Sequence, residues 1–225
     1  MEANFIDVII AVYNGEKYIK KAIETVQKQS WQNLNIIIAD DGSIDDTVLF
    51  VKTLQETDNR IVLLQCSHKG VSATLNAAIK YCNAPYIAML DVDDLWHEDK
   101  LNKQMQAIEN GVDICFCLLQ EFEDFEDEVA RTHSKRNEPL KGYSKSAFLG
   151  RRKVFDTFGL FKEDVVIGDF VEWYSRVIRA EQPIVMLNEV LAFRRVHDSN
   201  MTRFVDKNAF LSLIKKHLNE KRKDE

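Results

Sequence analysis

In Tyr86-Ile87-Ala88-Met89-Leu90-Asp91-Val92-Asp93-Asp94 an apolar run stops at three carboxylates. Carboxylates that end a buried strand are placed to hold a hard cation, and a cation held there can neutralise a diphosphate. Upstream, Leu34-Asn35-Ile36-Ile37-Ile38-Ala39 stops in the same way at Asp40-Asp41, followed by Gly42-Ser43. Either cluster alone is also what helix N-caps and turns look like, because Asp is favoured in both. Two acidic strand ends in one α/β pattern point instead to a nucleotide and metal site.

The flanking sequence supplies that pattern. Residues 5–12 are almost continuously apolar and rich in Val and Ile, as expected for a strand covered on both faces. Tyr13-Asn14-Gly15 breaks the run, and apolar residues then return at helical spacing over 16–28. Further strands are predicted at 34–39, 61–66, 86–90 and 113–119, and further helices at 45–55, 72–81 and 98–110. Ser43 with Asp46 resembles a capping box, and Ser72 is placed to cap the third helix. Such alternation implies right-handed crossovers and a mostly parallel sheet, with ligands bound beyond the carboxyl ends of its strands.

After residue 120 the periodicity loosens. Residues 121–146 run from an acidic stretch, Glu121 to Glu128, to basic residues around Lys135-Arg136, which fits a solvated loop, a frayed helix or a flap over a substrate. Order resumes over 147–155, then a helix at 170–180, short strands at 184–187 and 190–194, and an amphipathic helix at 206–225 whose end is wholly charged. No repeat and no Pro- or Gly-rich linker divides the chain, so residues 1–225 are expected to form a single domain: 1–110 a nucleotide-binding half, 111–205 an acceptor half, 206–225 a tail.

The 225 residues carry a formal charge of -6, which argues against nucleic acid as a partner. No run approaches the roughly 18 apolar residues of a membrane helix, and Met1-Glu2-Ala3-Asn4 lacks the basic start of a secretory signal. A cytoplasmic location is therefore expected, with peripheral contact between the charged tail and a membrane surface as the alternative to a solvated helix end. Cys66, Cys82, Cys115 and Cys117 include no C-x-x-C and read as reduced core thiols.

With the order of motifs in view, residues 7–203 resemble the family 2 glycosyltransferases. The matching pieces are Val8-Ile9-Ile10-Ala11-Val12-Tyr13-Asn14, Asp40-Asp41-Gly42-Ser43, Asp91-Val92-Asp93-Asp94, Arg151-Arg152-Lys153-Val154-Phe155 ahead of Gly159-Leu160-Phe161, Gly168-Asp169, and Arg195-Val196-His197. Each is weak alone; their order and spacing are specific. The resemblance implies a GT-A fold, with a mostly parallel central sheet flanked by helices and a Rossmann-like N-terminal half. It also implies an inverting enzyme that moves a sugar from a nucleotide-diphosphate sugar, UDP-sugar first, to a hydroxyl on a carbohydrate, lipid-linked or peptide acceptor.

Site residues follow from the same resemblance. Ala11, Val12, Tyr13, Asp40 and Asp41 are implied to hold the nucleotide, Asp41 by accepting from a base N–H. The Asp91 cluster resembles the DxD motif, with Asp91 and Asp93 on the nucleotide sugar. Asp94, Asp93 and His197 are the implied ligands of a divalent ion, Mn2+ or Mg2+. Asp169 is the implied general base; as a residue it also suits the start of the following helix, and Gly168 stands where many relatives carry an acidic residue. Arg194, Arg195 and Arg203 are candidates for phosphate. Trp96, Trp173, Phe161 and His133 are candidates for a sugar subsite, or core. No Q-x-x-R-W pattern follows Asp169, which disfavours a processive synthase. The competing readings are a non-catalytic nucleotide-sugar-binding or assembly module of the same fold, and a nucleotidyltransferase, the latter weakened by the lack of a Gly-rich basic loop after the first strand.

Overall fold

A computed structural model of the chain describes residues 4–123, 138–165 and 168–197. Its first half follows the apolar runs: β1 (Ile6–Val12), α1 (Ile19–Gln27), β2 (Leu34–Asp40), α2 (Thr47–Gln55), β3 (Ile61–Gln65), α3 (Val71–Tyr81) and β4 (Tyr86–Asp91). Then come β5 (Leu95–Trp96), α4 (Lys100–Glu109), β6 (Ile114–Phe122), β7 (Leu140–Lys141), a 3-10 turn (Lys145–Ala147), β8 (Leu149–Arg151), α5 (Lys153–Phe158), α6 (Asp169–Arg179) and β9 (Ile184–Arg195). Among the described residues these strands share one sheet in the order β3-β2-β1-β4-β8-β6-β9-β5, with β7 on β6.

The ladders β3-β2-β1-β4 are all parallel, and their register carries the acidic ends to one place. Val12 pairs with Asp40 on one side of β1, and Ala11 pairs with Asp91 on the other. Neighbouring strands lie roughly 4.8 Å apart, so two clusters 50 residues apart in sequence flank a single strand. The second half is mixed: β8 runs antiparallel to both β4 and β6, whereas β6 and β9 are parallel. β1, β2 and β4 are buried along almost their whole length, which is why they read as unbroken apolar runs rather than alternations.

Several local expectations are corrected. The capping box does not form: the Ser43 hydroxyl accepts from the Asn14 amide at 2.8 Å, and Asp46 makes no side-chain cap. Asp45 takes that role, accepting from the Thr47 amide at 3.1 Å. Ser72 lies inside α3, whose N-cap is Gly70 with φ 93°, a left-handed conformation that costs glycine little. β6 runs on through Glu121 and Phe122, and the two short strands expected after 184 are one long strand, β9, with irregular register near Cys117 and Leu118. Residues 124–137, including His133, and 198–225, including Arg203 and the charged tail, lie outside the described residues. Cys82, Cys115 and Cys117 are buried free thiols and Cys66 is half-buried, as expected for core cysteines.

Two buried polar groups hold the frame. Asp7 accepts from Asn35 Nδ2 at 2.7 Å and from the Asn83 and Ala84 amides at 2.9 Å, closing the amino ends of the strands. Lys100, fully buried in α4, donates to Gln104 Oε1 at 2.8 Å and lies over the Trp96 ring at 3.9 Å. Burial pulls its ammonium from 10.5 down to about 8. Between those values the unfolded chain keeps a proton that the folded chain has shed, so this residue makes stability rise with pH across that window. Lys100→Met is expected to remove that rise, on the order of 2–3 kcal/mol, in urea unfolding followed from pH 7.5 to 10.5; parallel curves for the two proteins would contradict it.

Candidate active site

A cleft of about 810 Å³ opens at the carboxyl ends of β1, β2 and β4 and extends to the start of α6. It brings together Tyr13, Asp41, Asp91, Asp93, Asp169 and His197. Ala11, Val12 and Asp94 also line it. The turns that form its rim are stitched to one another. Asn14, at φ 50°, accepts from the Ile44 amide through Oδ1 at 2.9 Å, while the Gly15 amide donates to Thr47 Oγ1 at 2.9 Å. Gly15 is required there, because a Cβ at that position would lie 2.3 Å from Val12 Cγ2.

Asp40 does not face the cleft. It is fully buried, and its carboxylate accepts from the Gly42 and Ser43 amides, both at 3.1 Å, shaping the turn that presents Asp41. Asp41 Oδ1 accepts from the Lys69 amide at 2.9 Å and Thr74 Oγ1 at 2.8 Å, and Oδ2 accepts from the Gly70 amide at 2.9 Å. Asp41 thus clamps the start of α3 against the end of β2. Beside it, the half-exposed Tyr13 stacks on His68 with ring centroids 4.2 Å apart, and His68 Nδ1 lies 2.8 Å from the Asp41 carbonyl oxygen.

The Asp91-to-Asp94 turn is held from behind by β9. Asp94 is buried, with Oδ1 accepting from the Arg195 amide at 3.0 Å and Oδ2 from Ser146 Oγ at 2.6 Å. Burial, with the Asp93 and Asp91 charges, raises its carboxyl well above the usual range, against the pull of those two donors. Arg195 is also buried; its Nε donates to the Asp93 carbonyl at 2.8 Å and its guanidinium lies over Phe122 at 4.5 Å. Arg195 therefore braces the turn and does not face the cleft, whereas Arg194 lines the cleft and pairs with Glu121 at 3.6 Å. Asp93 points outward, its Oδ2 3.0 Å from His197 Nε2, and the His197 ring stacks on Tyr18 at 5.1 Å.

On the opposite wall, Gly168 at φ 86° turns the chain so that α6 begins with Asp169 at the cleft. Asp169 Oδ1 accepts from the Phe170 amide at 2.7 Å; Oδ2 is buried with no hydrogen bond. The ammonium of Lys145 stands 3.5 Å from Asp169 Oδ2 and 3.5 Å from Asp91 Oδ1. Burial pulls Lys145 down, but the two carboxylates outweigh it and hold the ammonium above the ordinary lysine range. Enclosure raises the Asp91 carboxyl; Lys145 opposes this, and the charges of Asp93 and Asp169 add to it. α6 is fixed by aromatic packing: Trp173 is buried, stacked on Phe155 at 4.8 Å, and donates to the Gly159 carbonyl at 2.9 Å. Trp173, Phe161 and Trp96 are thus core and not a sugar subsite. Lys145, Ser146 and His68 carry no site signal in the sequence, since each stands in a stretch without a motif and meets its acidic partners only through the fold.

The family described as "Glycosyl transferase family 2" matches residues 7–166. WfgD of Escherichia coli, named a UDP-Glc:alpha-D-GlcNAc-diphosphoundecaprenol beta-1,3-glucosyltransferase, is 36% identical over 109 residues, covering 48% of this chain and 42% of its own. Among solved structures, S. aureus TarS 1-349 in complex with UDP-GlcNAc superposes with a TM-score of 0.73 at 17% identity, over 94% of this chain and 65% of that one. The mannosyltransferase PcManGT from Pyrobaculum calidifontis, in complex with GDP-Man and Mn2+, superposes at 0.71 and 16% identity, over 88% and 59%. The chain spans about half or less of the curated relatives it matches. No described helix is long and apolar enough to cross a membrane.

If Ser146 is the clip between the acidic turn and the strands behind it, Ser146→Ala leaves the buried Asp94 carboxylate short of a donor. We expect a loss of about 1–3 kcal/mol in chemical unfolding. A change within experimental error would show that the Asp94 to Ser146 contact does not hold the turn.

Proposed function

The chain belongs to glycosyl transferase family 2 and has the GT-A fold, and from that premise we propose that it transfers a sugar from a nucleoside diphosphate donor to an acceptor hydroxyl with inversion at the anomeric carbon. The observation that carries this reading is the meeting of Asp91, Asp93 and Asp169 in one cleft at the carboxyl edge of the parallel strands. UDP-sugars are the first donors to test, given WfgD's name, and a lipid-linked diphosphate sugar is the first acceptor for the same reason.

In this reading the base rests on the Tyr13–His68 stack, beside the wall that Asp41 holds in place. Asp91 receives hydroxyls of the donor. Asp169 Oδ2, which has no hydrogen-bond partner, takes the acceptor proton as the acceptor oxygen bonds to the anomeric carbon and the bond to phosphate breaks. One displacement with no enzyme-bound sugar inverts the configuration. Asp169 begins α6, so the base is carried on a rigid element rather than a loop.

A divalent ion fits this site only with help from the donor. Asp93 Oδ2 and His197 Nε2 stand 3.0 Å apart, and a carboxylate oxygen beside an imidazole nitrogen suits Mn2+ or Mg2+ in chemistry. Asp94 is less suited than the sequence implied, because both its oxygens are already engaged by Ser146 and Arg195. Among the described residues no three side chains of ligand type gather to hold a metal. Asp93 and His197 would therefore hold Mn2+ or Mg2+ together with diphosphate oxygens, and the bound ion would offset the charge that grows on the leaving group.

Release of nucleoside diphosphate from UDP-glucose, UDP-N-acetylglucosamine and GDP-mannose, with Mn2+ and lipid-linked acceptors, tests the activity; Asp169→Asn should lower kcat by about 10²–10⁴-fold. Unchanged turnover in that variant would remove Asp169 as the base. Thermal melting tests the ion: UDP with Mn2+ should raise Tm by more than the two separate shifts combined. Additive shifts would contradict a shell completed by diphosphate.

A further inference from the structure

We propose that Lys145 is a positioning residue for sugar transfer, fixing the proton-accepting oxygen of Asp169 and tying it to Asp91 across the cleft; this rests on the role given to Asp169 above. The motif residues do not predict it. Lys145 lies on the 3-10 turn between β7 and β8, far in sequence from both carboxylates, and its side chain is only 15% exposed although it lines the cleft.

Three observations converge on this role. The ammonium stands at the same distance, 3.5 Å, from Asp91 Oδ1 and Asp169 Oδ2, so one cation spans the donor side and the acceptor side of the cleft. Asp169 Oδ1 is already committed to the Phe170 amide, and the charge of Lys145 is what faces the remaining oxygen. The lysine is itself anchored: its neighbour Ser146 donates to Asp94 at 2.6 Å and accepts from the Asp91 amide at 3.1 Å. The same turn therefore places the acidic cluster and aims the ammonium at the base.

The arrangement has a chemical consequence. A carboxylate oxygen that faces a single cation at 3.5 Å is oriented by it yet keeps a lone pair free for an incoming hydroxyl. When a donor engages Asp91, the cation is left to Asp169 and the diphosphate, so donor binding and base orientation become coupled through one side chain. Because Ser146 and Arg195 hold the turn without the ammonium, removing it is expected to disturb the chemistry more than the fold.

The test is a kinetic cycle of Lys145→Met, Lys145→Arg, Asp169→Asn and the Met–Asn double variant, using UDP release from UDP-glucose or UDP-N-acetylglucosamine with Mn2+ and a lipid-linked acceptor. Lys145→Met should lower kcat about 30- to 100-fold and move the donor KM less than about threefold. Lys145→Arg should recover part of that loss. In the Asp169→Asn background the methionine should cost less than about twofold, because residues acting as a unit are not additive. A raised KM with unchanged kcat, or losses that multiply, would overturn the proposal. Should the parent protein turn over none of UDP-glucose, UDP-N-acetylglucosamine and GDP-mannose, the functional reading fails on its own. The same cycle followed by urea unfolding then decides the contact, with no coupling between Lys145 and Asp169 counting against it.

Discussion

The structure depends on keeping several carboxylates charged or hydrogen-bonded at the edge of one sheet. Asp91, Asp93, Asp94 and Asp169 face or underlie a single cleft, where burial and neighbouring charge raise the carboxyls of Asp91 and Asp94. Each is met by a different device. Asp94 takes two hydrogen bonds from behind; Asp93 meets His197; Asp91 and Asp169 share the Lys145 ammonium. The second half of the chain supplies every one of these counter-groups. Its mixed sheet, with β8 on β4 and β9 on β6, can thus be understood as the scaffold that carries cations and donors to the acidic ends of the parallel strands.

That division explains the clasp of loops at the rim. The turns after β1 and β2 hold one another through Asn14, Ser43, Asp45 and Thr47, and Asp41 holds the start of α3. A cleft lined by loops is preorganised only if the loops are fixed. Here the fixing is done by short side chains that bond backbone amides, a cheap solution because those amides need partners in any case.

Much of this was legible in the sequence where periodicity or motif order is informative. β1, β2 and β4 announced themselves as unbroken apolar runs because both faces are covered, and the acidic ends followed directly. What failed was local capping and the second half. Ser43 and Ser72 look like caps, yet Ser43 serves a turn 29 residues away and Ser72 lies within α3. β9 was divided in two because Asn188-Glu189 interrupts the apolar pattern at a register irregularity. The roles of Lys145 and Ser146 had no local signal at all, since Ser146 bonds Asp94 far upstream and Lys145 meets both Asp91 upstream and Asp169 downstream. Motif order likewise gives residue positions but not side-chain direction, so the two hydrogen bonds that Asp94 accepts from Ser146 and Arg195 had no signal.

Sugar transfer of this kind requires that nucleotide, cation and base share this cleft. Crystals of the chain grown with UDP and Mn2+ test that most directly, through the anomalous signal of manganese. One peak is expected beside Asp93 and His197, in contact with diphosphate oxygens, with the uracil on Tyr13 and Asp169 facing the open side of the phosphate. Nucleotide bound away from the ends of β1, β2 and β4, or manganese bound elsewhere, would contradict it.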